Sequence, residues 1–351
     1  MNSVTELPVW LFEVLRELKA SYNPKYDNAR SNLYADDEDV QGYLGTYFPR
    51  SYCEVFCIME NLFKNPVYNA LLTNNGSRKE EINILDIGCG TGGDIVGLLS
   101  SLNKYVPLDV SINVQAFDGN QPSLDRMKDV VAAFNANCRP LNPIRGCKYL
   151  HEVKSESDLL EVAKTASAWR FDFILCCKLC NELMFHHYVA EPYLSVARNF
   201  SGMLKQNGVM LILDPTDRFS EDDPYLPTEM NRELHSFFSY LNGFGKTFGD
   251  EFGTLVPKPC GDFPWCNKNC YTQKQFTVIY PNSPIESLCF SKNSKVCYRI
   301  ICRKMLWNKL NTDSVPQKLQ YISEHGVCQL QTEDMDIEAF DGTADAFDIN
   351  S

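Results

Sequence analysis

The sequence predicts a doubly wound α/β fold on a mainly parallel sheet, with a helical extension ahead of it and a cysteine-rich insertion near its end. Short apolar segments at Ile82–Ile87, Asn113–Phe117, Phe171–Cys176 and Val209–Leu213 read as buried strands. The long gaps between them hold amphipathic stretches such as Pro122–Phe134 and Tyr188–Leu204, the crossover helices that parallel strands require. A glycine-rich turn follows the first of these strands directly, as a nucleotide-type site needs.

Residues 1–75 read as helical, from Leu7, Trp10, Leu11, Val14 and Leu15 at i, i+3, i+4 spacing and a second apolar run from Tyr43 to Leu72. Asn74-Asn75-Gly76-Ser77 marks a linker, so residues 76–242 form the expected cofactor domain. Residues 243–275 are rich in Gly, Pro and Cys and read as an insertion. Strands at Phe276–Tyr280 and Val296–Cys302 follow within 276–332. Residues 333–351 carry seven acidic and no basic side chains, and this tail is expected to be disordered.

Of the 351 residues, 44% are hydrophobic and 22% charged, and no apolar run approaches the roughly 20 residues of a membrane span. The amino terminus has no basic region before an apolar core, so a cytoplasmic protein without membrane contact is expected, with most of its 15 cysteines reduced. A net charge of -12 argues against binding nucleic acid by bulk electrostatics. Yet Lys292, Lys295, Arg299, Arg303, Lys304 and Lys309 fall in one stretch without an acid, and Trp307 lies among them. That stretch is either a local RNA-contact surface or a solvated strand and helix face.

Gly88, Gly90 and Gly92 form the turn. Gly88, Gly90 and Gly93 also satisfy the dinucleotide spacing, which is weak alone. Asp86 would repel a pyrophosphate but suits a sulfonium ligand with a free ammonium, and Asp118, closing the next strand before Gly119, can accept hydrogen bonds from both ribose hydroxyls. No Gly-Lys-Ser/Thr follows the glycines, which excludes a kinase-type phosphate loop.

On these residues the chain resembles the class I S-adenosylmethionine-dependent methyltransferases: Leu85 to Gly92 match their first motif and Asp118 their ribose-binding acid. The resemblance implies a seven-stranded Rossmann-like methyltransferase sheet and S-adenosylmethionine as cofactor. Asp86, Gly88, Gly90, Gly92, Asp118 and Gly119 are then the cofactor-binding candidates. Asn181 and Glu182, just past the Phe171–Cys176 strand, are candidate substrate-orienting residues, although Glu182 could equally cap the next helix; Asp214 follows the Val209–Leu213 strand at the same edge.

Cys260, Cys266 and Cys270 lie within eleven residues of a turn-rich segment that a bound metal would cross-link. The fourth ligand would be Cys328, failing that Cys297 or Cys302. The segments Tyr47 to Tyr52, Leu179 to Leu183, Asp214 to Thr216, Pro259 to Cys266, Cys270 to Gln273 and Tyr298 to Lys304 together resemble the methyltransferase-like proteins of small-ribosomal-subunit assembly. This narrower resemblance implies an iron-sulfur cluster, with zinc the second choice, and ribosomal RNA or the small subunit as partner. The expected activity is methyl transfer to small-subunit ribosomal RNA. The alternatives are a noncatalytic ribosome-assembly factor retaining the fold and a small-molecule methyltransferase.

Overall fold

A computed structural model describes residues 2–22, 33–73, 81–105, 110–138, 144–216, 224–256, 273–281 and 293–310. It adds the backbone of strands at 320–324, 327–332 and 335–336. A nine-stranded sheet runs in the order β1 (Asn2–Glu6), β8 (Gln273–Ile279), β9 (Asn293–Arg303), β6 (Leu204–Pro215), β5 (Phe171–Cys177), β2 (Glu81–Ile87), β3 (Ser111–Asp118) and β4 (Arg145–Leu150), with β7 (Phe252–Val256) pairing β9. β4, β3, β2, β5 and β6 are parallel, and β9 runs antiparallel to β6, with Asp214 opposite Cys297. The carboxyl ends of β3, β2, β5 and β6 therefore share one edge.

Helices cover both faces, so the central strands read as continuous apolar runs. In β5, Phe173, Leu175 and Cys177 join the core on one face and Ile174 and Cys176 that on the other. The first face packs α1 (Val9–Glu17), α3 (Phe48–Lys64), α5 (Gly93–Tyr105) and α6 (Gln121–Asn137); the second packs α7 (Glu156–Ala166), α9 (Pro192–Phe200) and α10 (Leu226–Ser239). α2 (Asp37–Thr46), α4 (Pro66–Leu72), α8 (Cys180–Phe185) and α11 (Phe248–Glu251) are shorter. Among the described residues no helix is long and apolar enough to cross a membrane.

Three strands of this sheet have no counterpart in the sequence reading. β1 lies in the region expected to be helical and pairs parallel with β8; its five residues are too few to show a period. β4 is an edge strand whose Arg145, Gly146, Cys147 and Lys148 are all exposed, so it lacks apolar alternation. β7 falls inside the insertion, whose residues 257–272 are outside the described residues. A small separate sheet, β10 (Gln320–Glu324), β11 (Val327–Thr332) and β12 (Met335–Asp336), ends within the segment expected to be a disordered tail. The remaining tail residues are not described.

The amino end of α9 is capped from α10: the buried Glu233 accepts from the amides of Tyr193 at 2.8 Å and Leu194 at 3.1 Å. Burial pushes its carboxyl up to about 8, against these bonds and Arg232. The folded state thus holds a proton that the unfolded chain releases near pH 4.3. Its contribution is full below that value and is lost as pH rises towards about 8. Glu233→Gln, which keeps the cap, is expected to flatten the fall in stability between pH 5 and 8, by up to about 1.4 kcal/mol per pH unit. Urea unfolding at both pH values checks this; parallel curves for variant and parent would reject it.

Candidate functional site

The shared strand ends open into a cavity roofed by the helical extension. Its walls include Gly88, Cys89, Gly90 and Thr91 from the loop after β2, Asp118 and Gly119 after β3, and His151 and Val153 after β4. Lys178, Asn181 and Glu182 follow β5, Pro215 ends β6, and Ser294 and Lys295 lie on β9. Tyr43 of α2 and Phe48, Arg50, Ser51 and Glu54 of α3 form the roof.

The loop depends on its glycines: Gly88, Gly90 and Gly92 have φ of 78°, 50° and 84°, a region costly for other residues. The amides of Gly88 and Cys89 donate to the Phe117 carbonyl at 2.8 and 3.1 Å, tying the turn to the end of β3. A Cβ on Gly90 would meet nothing within 4 Å, so the backbone there is open for a ligand to approach. At Gly92 it would sit 2.6 Å from Met127 Cγ, so that glycine serves packing against α6 and lies outside the cavity wall.

Asp118 Oδ2 accepts from the Gly90 amide and Oδ1 from the Asn120 amide, each at 2.8 Å. Burial raises its pKa above the ordinary carboxylate value, and the amides of Asn120, Gly90 and Gly119 oppose the rise. Each oxygen keeps a further lone pair for a ligand hydroxyl. The Asn120 side chain caps α6 at Ser123 (2.8 Å) and also donates to the Ala35 carbonyl at 2.8 Å, which joins the ribbon before α2 to this corner.

Asp86 lies beneath the loop, fully buried and outside the wall. Its neighbour Asp94, at the start of α5, does line the wall. Burial and Asp94 drive the Asp86 pKa well above the usual range. Burial lifts Asp94 to about 7, opposed by the Ile95 amide and Lys178. Asp214, expected at the acceptor edge, is likewise fully buried behind the wall, where Oδ1 accepts from the Asn181 amide at 3.3 Å. Burial pushes it to about 8, opposed by the Tyr193 hydroxyl, the Asn181 amide and Lys178. Asn181 and Glu182 line the cavity itself.

The sequence reading passed over Lys178, which has a positive φ of 62° and donates to Ser51 Oγ at 2.8 Å and Glu54 Oε2 at 2.5 Å. Glu54 is fully buried, and this ion pair bolts the roof helix α3 to the turn after β5. The available signal was a charge inside an otherwise apolar turn, Cys176-Cys177-Lys178-Leu179-Cys180. Lys178→Met is expected to cost about 3 kcal/mol by leaving a buried carboxylate alone, and adding Glu54→Gln should restore part of the loss. Thermal melts of the single and double variants check it; a neutral single variant would show the bolt carries no energy.

The basic stretch does not form one surface. Arg299 is 4% exposed and donates to Asn231 Oδ1 at 2.8 Å and to the Tyr298 carbonyl, because alternation along β9 points it under α10. Arg303 donates to the carbonyls of Gly202 and Leu204 and stacks over Phe252, while Lys304 sits 3.8 Å over the Trp307 ring, whose nitrogen donates to the Thr254 carbonyl. These contacts hold β9 and the helix Lys304–Leu310 to β6 and β7.

Cys260, Cys266 and Cys270 lie outside the described residues, as does the Cys328 side chain. The alternative ligands Cys297 and Cys302 are buried in cores on opposite faces of the sheet. Among the described residues no group of three His, Cys, Asp or Glu is arranged to hold a metal. Cys53, Cys57, Cys89, Cys176 and Cys177 are buried packing residues.

No curated protein matches the sequence. Among solved structures the chain is similar to an S-adenosylmethionine-dependent methyltransferase from Clostridium acetobutylicum, with 18% identity, a TM-score of 0.23 and 44% of this chain covered. It spans half the length of that enzyme. It is also similar to the plantazolicin methyltransferase BpumL in complex with a pentazolic desmethylPZN analogue and SAH, at 14% identity and a TM-score of 0.38 over 83% of this chain and 98% of that one. A methyltransferase homologue from Pyrococcus horikoshii aligns at 14% identity and a TM-score of 0.36, over 68% and 66% of the two chains. The family model described as Methyltransferase domain matches residues 61–244, just over half of the sequence and the part that holds the glycine loop, Asp118 and the turn after β5. The chain belongs to that family and carries a methyltransferase domain.

Proposed function

We propose that the cavity binds S-adenosylmethionine across the ends of β2 and β3 and that the domain transfers its methyl group to RNA of the small ribosomal subunit. The observation that carries the cofactor reading is Asp118, held by the Gly90 and Asn120 amides beside a stretch of open backbone. Its remaining lone pairs suit the two ribose hydroxyls, the turn at Gly88 and Gly90 lets the ligand lie against the chain, and Asp94 offers an acid to an ammonium. The bound cofactor supplies a methyl group on a sulfonium leaving group, so the chain's own task is positioning. Asn181 and Glu182 orient the acceptor, and Asp214 positions Asn181 from behind.

The RNA acceptor is supported by the ordered segment resemblance to small-subunit assembly methyltransferases and by Arg50 and Lys295 in the cavity wall, cations suited to phosphate. The roof of α2 and α3 favours a second reading, a small-molecule acceptor enclosed beneath it. Radiolabelled methyl transfer should move label into isolated small subunits or their RNA. Label appearing only in a metabolite extract would replace the first reading by the second, and label in neither would leave a noncatalytic assembly factor. The cluster expected on Cys260, Cys266, Cys270 and Cys328 is a separate proposal, tested by the iron and sulfide content of protein purified without oxygen.

A further inference from the structure

Asp86 is fully buried beneath the glycine turn, yet neither oxygen of its carboxyl receives a hydrogen bond from an N–H or hydroxyl of the described residues. The amides of the turn above it are committed elsewhere: those of Gly88 and Cys89 to the Phe117 carbonyl, that of Gly90 to Asp118 and that of Gly92 to the Cys89 carbonyl. A buried carboxylate without a donor is too costly to keep, so Asp86 holds its proton. That proton faces the carboxyl of Asp94, which is 4% exposed, reaches the cavity wall from the start of α5 and accepts from the Ile95 amide at 3.0 Å. Around the two carboxyls stand the Asp118 carboxyl at the end of β3, the thiols of Cys89, Cys176 and Cys177, and Lys178, whose charge Glu54 of α3 already answers. This corner of the cavity is therefore short of a positive charge.

We infer that Asp86 and Asp94 form a proton-sharing subsite for the ammonium of the cofactor's amino-acid arm, and that this subsite releases one proton to water when the ligand binds. The inference rests on the cofactor reading above and adds Asp86 as a positioning residue that acts through Asp94. In the ligand-free protein at low pH each carboxyl carries a hydrogen. On binding, Asp94 gives its proton to water, while Asp86 keeps its own and donates it to the new carboxylate. One negative charge then stands against the one positive charge of the ligand, and no second charge has to be buried. Burial lifts Asp94 to about 7, which places the exchange in the neutral range. Below that value the proton must be displaced, so each unit of falling pH weakens binding up to about tenfold; above it the carboxylate already exists and affinity levels off.

Calorimetry of S-adenosylhomocysteine binding to the full chain, in buffers of different ionisation heat, reads affinity and protons released together and needs no variant. Affinity at pH 8 is expected to exceed that at pH 6 about tenfold, with close to one proton released per ligand at pH 6 and almost none at pH 8. 5′-Methylthioadenosine keeps the adenine, ribose and sulfur but lacks the amino-acid arm, so its affinity should not follow pH, which separates the pair from Asp118 and from His151 in the same wall. Loss of the ligand's own ammonium proton weakens binding as pH rises and so cannot imitate the result. Asp94→Asn should bind about tenfold more weakly at pH 8 and lose the pH dependence. Asp86→Leu removes the donor to Asp94 and should move the midpoint of the profile upwards, whereas Asp86→Asn, whose amide supplies a donor, should restore it. A flat profile in the parent without proton release overturns the inference, as does a pH dependence shared by 5′-methylthioadenosine or surviving in Asp94→Asn. An Asp86→Leu profile equal to the parent's overturns the role of Asp86. If S-adenosylhomocysteine binds at no pH, the cofactor reading itself falls.

Discussion

Asp118→Ala is expected to weaken binding of S-adenosylhomocysteine roughly 100-fold, about 3 kcal/mol, the scale of two hydrogen bonds to a charged group. The loss has two sources. The carboxylate can no longer receive the ribose hydroxyls, and the Gly90 and Asn120 amides lose the acceptor that fixes the turn at 2.8 Å. Asp118→Asn keeps one acceptor oxygen and should lose less. Calorimetry on protein with an unchanged melting temperature is the measurement. An Asp118→Ala variant that still binds within threefold of the parent would remove this residue from the cofactor site.

Gly97→Val is expected to be strongly destabilising. The α3 and α5 backbones come close at two points one turn apart: a Cβ at Gly93 would lie 2.7 Å from the Phe48 carbonyl oxygen, and one at Gly97 2.6 Å from that of Tyr52 and 3.1 Å from the Phe56 nitrogen. These are backbone atoms of a buried helix and cannot step aside as a side chain could. The variant can fold only by lifting α3, at a cost of about 3 kcal/mol or more. Because α3 carries Ser51 and Glu54 into the cavity, cofactor affinity should fall with it. Urea unfolding decides the point; a loss under about 1 kcal/mol would mean that the helices slide without penalty.

The central strands were legible because burial on both faces makes them apolar throughout, as in Phe171–Cys177. The glycine turn and Asp118 were legible because their backbone demands leave a local trace. Asp86 and Asp214 were visible as strand-end acids, but the strand pleat, which one sequence does not phase at a strand's end, turns both beneath the cavity. The roof could not be read from spacing: Ser51 and Glu54 reach the site because Gly93 and Gly97 admit α3 so closely. Arg299 shows the reverse failure, a charge that counts as surface in composition and is spent inside on Asn231.

The pairing of Asn2–Glu6 with Gln275–Ile279 also sets a timetable for assembly. β1 is made long before its neighbour: nearly three hundred residues lie between it and the end of β9, with which β8 itself pairs. Contacts of such sequence separation are slow to form. The β2, β3 and β5 ladders can organise earlier, whereas the edge made by β1, β8 and β9 closes only once β9 has been made. Until then the Leu7 amide lacks the Ile279 carbonyl to which it donates at 2.8 Å in the folded chain.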